Sequence, residues 1–194
     1  MSLANKITLL RVILAPTFFV LYFLPWVSGG EVWVVALLWL IFLVAEISDG
    51  LDGMAARRLG ETSDFGRLFD PFADTLAQLT FFLCFVLDGI LPAALFLVVV
   101  YREFGILFLR NLMLRKGVTM GARLSGKAKT VAYITACSAA LVHSSLVRLD
   151  VAALSALAPA FRIAAVATFA ISVVFSVASF FDYLGAYRAV KKAD

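Results

Sequence analysis

Long apolar stretches separated by short polar ones dominate the chain of 194 residues. Six of these stretches approach the roughly 20 residues that a helix needs to cross the hydrocarbon core of a membrane. They cover residues 8–24, 32–47, 68–87, 92–113, 128–147 and 159–187. Backbone groups in lipid must be bonded internally, and the sequence lacks the short alternating strands of a membrane barrel. The pattern therefore predicts an all-α bundle of six transmembrane helices.

The composition supports the same prediction. Apolar residues make up 63% of the chain and charged residues only 15%, whereas soluble domains average about half and about a quarter. These proportions indicate an integral membrane protein. The length fits a single membrane domain that covers residues 1–194.

The basic residues are distributed unevenly between the two ends of the predicted helices. Only Arg148 and Arg162 fall at one set of ends. The opposite set carries Lys6, Arg11, Arg57, Arg58, Arg67, Arg115, Lys116, Arg123, Lys127, Lys129, Arg188, Lys191 and Lys192. Cytoplasmic ends are enriched in Lys and Arg, so this asymmetry predicts a cytoplasmic N-terminal segment and a site that faces the cytoplasm. Nucleic-acid binding is disfavoured because the cations are spread over several helix ends.

Aspartates are concentrated between the second and third apolar stretches, in residues 48–74. Asp49 and Asp52 are three residues apart, and Asp70 and Asp74 are four apart, so each pair shares one face of a helix. Two adjacent antiparallel helices would bring the four carboxylates together near the membrane surface. Such a cluster is stable around divalent cations, because carboxylates are hard oxygen ligands for Mg²⁺, Mn²⁺ or Ca²⁺. A pair of such ions commonly binds a diphosphate.

Small and basic residues accompany the aspartates at helical spacing. Gly53 and Gly66 would let a ligand approach the backbone closely, and Ala56 leaves space as well. Arg57 can bind phosphate oxygens through two parallel hydrogen bonds. These four residues are therefore candidates for contact with a phosphate-containing ligand.

One pattern accounts for this whole region: Asp49-x-x-Asp52-Gly53-x-x-Ala56-Arg57, then eight residues, then Gly66-x-x-x-Asp70-x-x-x-Asp74. It resembles the signature of the CDP-alcohol phosphotransferases at every position. The predicted layout of six helices is also similar to that family, so the resemblance covers nearly the whole chain.

The resemblance implies a role for each residue of the motif. Asp49, Asp52 and Asp70 would hold two divalent ions, Mg²⁺ or Mn²⁺, on the diphosphate of a CDP-linked lipid substrate. Asp74 would lie beside the metals and act as the general base on the acceptor hydroxyl. The nucleotide would be bound by Gly53, Ala56, Arg57 and Gly66. The reaction would be attack of an alcohol on the phosphorus linked to CMP, with release of CMP, and the family also implies a homodimer.

Polar residues recur every three positions at the start of the first helix, at Asn5, Thr8 and Arg11. One interpretation is helix capping together with an arginine that extends its charge to the membrane surface. The other is a stripe that contacts the nucleotide. The opening is similar to the N-x-x-T-x-x-R segment of bacterial phosphatidylglycerophosphate synthases, which makes Asn5 and Thr8 candidate nucleotide-binding residues.

Charged residues also interrupt the fourth helix and begin the fifth. Arg102 and Glu103 are adjacent, so we expect them to point in different directions and not to be each other's main partners. The candidate site for an acceptor phosphate consists of Arg110, Arg123, Lys127 and Lys129. These segments resemble the ARE and GK-x-KT segments of the phosphatidylglycerophosphate synthase subgroup. The alternative is electrostatic anchoring to anionic lipid.

The resemblance favours transfer of a phosphatidyl group from CDP-diacylglycerol to glycerol 3-phosphate at the inner membrane of a bacterial cell. Thr75 departs from the subgroup, which usually has lysine directly after the last motif aspartate. Choline and ethanolamine phosphotransferases have small residues there, so a CDP-choline or CDP-ethanolamine:diacylglycerol phosphotransferase is an alternative. A divalent-cation transporter is a third interpretation. It is disfavoured because the carboxylates cluster at one end and the sequence has no internal repeat.

Overall fold

The computed structural model describes residues 3–24, 32–59, 64–115, 118, 124–150 and 152–193. For residues 3–7, 49–59, 64–65, 67–68, 115, 124–127 and 189–193 it describes the backbone and not the side chains. All structural statements below refer to these parts of the chain.

Seven helices make up the described chain: α1 (Leu3–Phe23), α2 (Val32–Leu59), α3 (Asp64–Leu87), α4 (Ala93–Arg115), α5 (Leu124–Leu149), α6 (Ala152–Ser155) and α7 (Ala158–Ala193). Each of the six predicted apolar stretches lies in a long helix. The single turn α6 was not predicted. The second helix continues well past its apolar part and carries the first half of the aspartate motif on the same continuous helix.

Three helices in the described residues are long and apolar enough to cross a membrane. The qualifying segments are Phe69–Leu87 in α3, Ala128–Leu149 in α5 and Ala158–Arg188 in α7. Shorter apolar segments, Thr8–Phe23 and Val32–Ser48, lie in α1 and α2. In α4, Arg102, Glu103 and Arg110 interrupt an otherwise apolar helix. The fold is therefore all-helical, with three clear candidate membrane spans.

The turn between α3 and α4 follows from its glycine and proline. Gly89 has a φ of +71°, and just beyond it the N–H of Ile90 donates to the carbonyl of Phe85 at 2.9 Å. Glycine adopts this left-handed conformation without a steric penalty, so it ends a helix tightly. The next helix begins at Ala93, directly after Pro92, because proline does not continue a preceding helix but suits the start of a new one.

Aromatic rings from α3 occupy the centre of the bundle. The ring of Phe81 lies 4.8 Å from Phe18 of α1 and 5.6 Å from Phe42 of α2, both in edge-to-face geometry. On the other side, the ring of Phe82 lies 4.7 Å from Phe169 of α7. All five side chains are buried. These contacts hold α3 between the other helices and so fix where its first turns, with Asp70 and Asp74, meet the end of the bundle.

A polar cluster closes the opposite end of the bundle. The hydroxyl of Tyr22 donates to Oδ2 of Asp88 at 2.6 Å and lies 2.8 Å from Oγ of Ser144. The guanidinium of Arg148 lies 4.3 Å from the centre of the Tyr22 ring and donates to the Tyr22 carbonyl at 3.0 Å. The cluster thereby links α1, the turn after α3 and α5.

Tyr22→Phe is expected to lower the free energy of unfolding by about 1 kcal/mol, because it removes the hydroxyl contacts but keeps the buried ring. Thermal unfolding of the purified protein in detergent would measure this effect. Tyr101→Phe is the matched control, since Tyr101 is 74% exposed and its hydroxyl has no such contacts in the described residues. Equal unfolding temperatures for the two variants would mean that the cluster does not stabilise the bundle.

Candidate functional site

A cavity of about 360 Å³ lies at the end of the bundle where α1, α3 and α5 begin and α2, α4 and α7 end. Its polar lining consists of Arg11, Glu46, Asp74, Thr75, Gln78, Arg102, Glu103, Arg110, Lys129, Thr130 and Tyr183. The volume is in the range of small-molecule sites. Cations and carboxylates share its wall, which suits a ligand that carries both charge and hydroxyl groups.

The second half of the aspartate motif is held by α1. Oγ1 of Thr8 donates to Oδ1 of Asp70 at 2.6 Å. One helical turn later, the guanidinium of Arg11 forms an ion pair with Oδ1 of Asp74. The side chain of Asp74 is 37% exposed, whereas that of Arg11 is only 2% exposed. The arginine therefore fixes the carboxylate from behind and leaves it accessible from the cavity.

This arrangement separates the two interpretations of the stripe at the start of α1. An arginine that extended its charge to the membrane surface would be exposed, but Arg11 is buried against Asp74, so that interpretation is wrong for Arg11. Thr8 is fully buried and contacts an aspartate of the motif. Its predicted contact with a nucleotide stays a prediction. The side chain of Asn5 lies outside the described residues.

The first half of the motif lies on α2, as its spacing predicted. Asp49, Asp52, Gly53, Ala56 and Arg57 follow one another on a continuous helix, but their side chains lie outside the described residues. Their predicted roles therefore stay predictions.

Glu46 stands one turn before Asp49 on α2, and it lines the cavity. Glu46 was not predicted as a site residue, although its spacing of three residues from Asp49 continues the acidic face. Gly66, on α3, is buried and therefore lies at a closely packed position.

The described side chains supply half of the predicted metal site. Among them, no three His, Cys, Asp or Glu groups come together. Asp70 and Asp74 each have one carboxylate oxygen engaged by α1, at Oδ1 in both cases. Carboxylate oxygens are the donors that Mg²⁺ and Mn²⁺ prefer. The chemistry of these two residues fits a site for a divalent cation. The aspartates of α2 would complete that site.

A buried carboxylate, Glu103, connects the cations on the other side of the cavity. Its Oε1 accepts from Nη1 of Arg102 at 2.8 Å, from Nζ of Lys129 at 2.8 Å and from the hydroxyl of Tyr133 at 3.2 Å. The expectation that Arg102 and Glu103 would not be main partners is wrong. Adjacent residues do diverge on a helix, but the long arginine side chain reaches back to its neighbour.

The predicted acceptor-binding residues are brought together only in part. Arg110 and Lys129 both line the cavity. Lys129 is engaged by Glu103, whereas Arg110 donates to the hydroxyl of Tyr183 at 3.3 Å and lies 5.6 Å from the centre of its ring. Arg123 and the side chain of Lys127 lie outside the described residues. Tyr183 also lines the cavity, although it was not predicted as a site residue.

The geometry of the cavity allows a carboxylate on one side to accept a proton and basic side chains on the other side to bind an anion. The carboxylate of Asp74 faces the cavity, so it can take a proton from a bound hydroxyl. Arg110 and Lys129 extend from α4 and α5 into the same space and can attract a phosphate. Thr75 lies next to Asp74 in the cavity wall and adds no charge.

Comparison with known proteins gives matches over most of the chain. A family model described as CDP-alcohol phosphatidyltransferase matches residues 1–178. A Treponema pallidum protein named CDP-diacylglycerol–glycerol-3-phosphate 3-phosphatidyltransferase is 38% identical in an alignment of 202 positions, gaps included, that spans 99% of this chain and 92% of that protein. A Bacillus subtilis protein of the same name is 35% identical, over 74% of this chain and 78% of that protein. A Mycobacterium tuberculosis protein named probable phosphatidylglycerophosphate synthase is 36% identical, over 66% and 60% respectively.

Proposed function

Because the chain belongs to the CDP-alcohol phosphatidyltransferase family, we propose that it transfers a phosphatidyl group from CDP-diacylglycerol to glycerol 3-phosphate and releases CMP. The observation that carries this proposal is a single cavity lined both by Asp74 of the aspartate motif and by the cations Arg110 and Lys129. The names of the relatives support the same substrates. The products would be phosphatidylglycerophosphate and CMP.

Two divalent ions, Mg²⁺ or Mn²⁺, would be held by Asp49, Asp52 and Asp70, with Asp74 beside them. When bound, they would neutralise charge on the diphosphate of the donor. Thr8 supports this role because its hydrogen bond orients Asp70. Gly53, Ala56, Arg57 and Gly66 would bind the nucleotide, together with Asn5 and Thr8.

Asp74 would be the general base. The acceptor oxygen forms a bond to the phosphorus attached to CMP, the bond from that phosphorus to the CMP oxygen breaks, and the hydroxyl proton passes to the carboxylate. The ion pair with Arg11 supplies a counter-charge for this carboxylate. The same contact holds the carboxylate in place before the acceptor enters, so little reorganisation is needed.

The acceptor phosphate would bind at the other side of the cavity, to Arg110 and Lys129, with Arg123 and Lys127 as further candidates. Arg110 is the strongest candidate among the described residues, because its contact to Tyr183 is long and the guanidinium retains capacity for a phosphate. Thr75, where the subgroup usually has lysine, lines the same cavity. These four basic residues would then bind the acceptor phosphate in place of the lysine that the subgroup usually has at this position.

The membrane arrangement is part of this proposal. The three apolar segments that can span a membrane, and the long helices α1, α2 and α4 around them, would form six spans in the inner membrane of a bacterial cell. The end that bears the cavity also carries most of the basic residues, so it would face the cytoplasm. We also propose a homodimer, as implied by the family resemblance.

Purified protein in detergent should release CMP from CDP-diacylglycerol only when glycerol 3-phosphate and a divalent cation are both present. A chelator should abolish release, and added Mg²⁺ should restore it. CDP-choline with diacylglycerol is the matched control for the alternative substrate pair. Release with that pair, and none with glycerol 3-phosphate, would reject the proposed substrates. If neither substrate pair gave CMP release, the assignment of the protein as an enzyme of this class would be rejected.

A further inference from the structure

Glu103 is held by the protein through only one of its two carboxylate oxygens. All three of its hydrogen bonds, from Arg102, Lys129 and Tyr133, end on Oε1. Across the part of the chain that the structure describes, Oε2 makes no hydrogen bond. The side chain is only 7% exposed and lies in the wall of the cavity. Oε2 is not among the buried side-chain atoms that lack a partner in the described residues, so it is open to the cavity, where the hydroxyl of a bound ligand can reach it.

The Glu103 carboxylate cannot rotate so that Oε2 points away from the cavity. Nε of Arg102 donates to the carbonyl of Ser176 at 3.0 Å, and Nη2 donates to Oγ of Ser179, so the guanidinium is anchored to α7. The hydroxyl of Tyr133 also lies 2.9 Å from Oγ of Ser176. Groups from α5 and α7 therefore fix the donors on Oε1, and their positions fix Oε2 in turn.

We propose that Oε2 of Glu103 accepts a hydrogen bond from a second, non-reacting hydroxyl of the acceptor, and that this contact makes the enzyme selective for polyol phosphates over simple hydroxyalkyl phosphates. The assignment rests on the proposed function. Glycerol 3-phosphate has a hydroxyl on C1 that reacts, a phosphate on C3 and a further hydroxyl on C2. Asp74, the cations and Glu103 line the same cavity, so one acceptor can meet all three kinds of group.

The selectivity follows from the cost of leaving the carboxylate oxygen without its donor. A site that hydrogen-bonds a substrate hydroxyl discriminates strongly against an analogue that lacks it, because the bound analogue covers the polar group and leaves it unpaired. The bond to an ionised carboxylate is stronger than one between neutral groups. An acceptor without the second hydroxyl should therefore be used about 10- to 100-fold less well in kcat/KM.

The test compares glycerol 3-phosphate with 3-hydroxypropyl phosphate, which lacks only the C2 hydroxyl, in CMP-release assays on the same preparation of protein. The ratio of the two kcat/KM values does not depend on how much of the protein is folded. Wild-type enzyme should show a ratio of about 10 to 100. In Glu103→Gln the amide oxygen stays with the three donors at Oε1, which places an N–H donor at the Oε2 position. That N–H can still donate to the C2 oxygen, but the bond no longer involves an ionised group, so the ratio should fall several-fold.

Tyr133→Phe is the matched control, because it removes a donor from Oε1 and leaves Oε2 unchanged. Its ratio should stay at the wild-type value even if its stability falls. A wild-type ratio near one, or an unchanged ratio in Glu103→Gln, would overturn the assignment. Equal loss of selectivity in both variants would also overturn it, since general disturbance of the cluster would then explain the effect. Absence of glycerol 3-phosphate-dependent release by wild-type enzyme would instead reject the proposed function itself.

Discussion

Asp74→Asn is expected to slow CMP release by about 10²- to 10⁴-fold, the usual contribution of a general base, while binding of the CDP donor changes little. Asparagine keeps the size of the side chain but cannot take the proton of the acceptor. It also cannot form the ion pair with Arg11, so the buried guanidinium loses this contact. The measurements are kcat at saturating substrates, donor affinity, and the unfolding temperature of the variant.

Asp88→Asn is the matched control for this prediction. Asp88 lies at the opposite end of the bundle and accepts a hydrogen bond from Tyr22, so the same chemical change there should leave turnover near the wild-type value. Turnover by Asp74→Asn at the wild-type rate, in folded protein, would mean that another group takes the proton. Equal loss in both variants would point to a general effect on folding.

Arg110→Gln is expected to raise KM for glycerol 3-phosphate about tenfold or more, because a charge-assisted bond worth about 1.5–3 kcal/mol is lost. KM for CDP-diacylglycerol should change much less, since the donor would bind at the aspartate motif. Arg110 is a cleaner choice than Lys129, because Lys129 also neutralises the buried Glu103 and its loss would disturb the cluster. Steady-state kinetics with each substrate varied in turn would measure both effects.

Arg162→Gln provides the control for the loss of a positive charge. Arg162 is exposed at the far end of the bundle, where it donates to the carbonyl of Gly89 at 3.1 Å. Its substitution should leave both KM values unchanged. If Arg110→Gln raised KM for donor and acceptor by the same factor, Arg110 would be acting through the shape or general charge of the cavity and not by binding the acceptor phosphate.

The aspartate motif was sufficient to predict the family. Eight residues between Asp49 and Asp74 identified it, and the family model over residues 1–178 confirms that prediction. The helices were also predictable, because apolar stretches of that length have few other conformations. The α2 helix illustrates the limit of the method, since hydropathy alone ends it at Ile47, whereas the helix continues to Leu59.

Contacts between helices were harder to predict. Arg11 was recognisable as a charge inside an apolar stretch, but its partner on α3 depends on how α1 and α3 pack. Glu103 contacts Lys129 and Tyr133 on α5, and its neighbour Arg102 contacts Ser176 on α7, far along the chain. The spacing of residues in the sequence predicts which of them share a face of one helix. It does not predict which face of another helix packs against them.

The cluster around Glu103 also bears on how the chain enters a membrane during synthesis. Arg102 and Glu103 stand near the middle of α4, where an ionised side chain costs about 2.5–3.5 kcal/mol to insert. Two of their partners, Lys129 and Ser176, follow them by 26 and 74 residues in the chain. The ribosome therefore delivers α4 before the groups that stabilise it. In the proposed membrane arrangement, α4 becomes stable in lipid only after α5 and α7 have been made, so insertion of the second half of the protein is a cooperative step and not a sequence of independent ones.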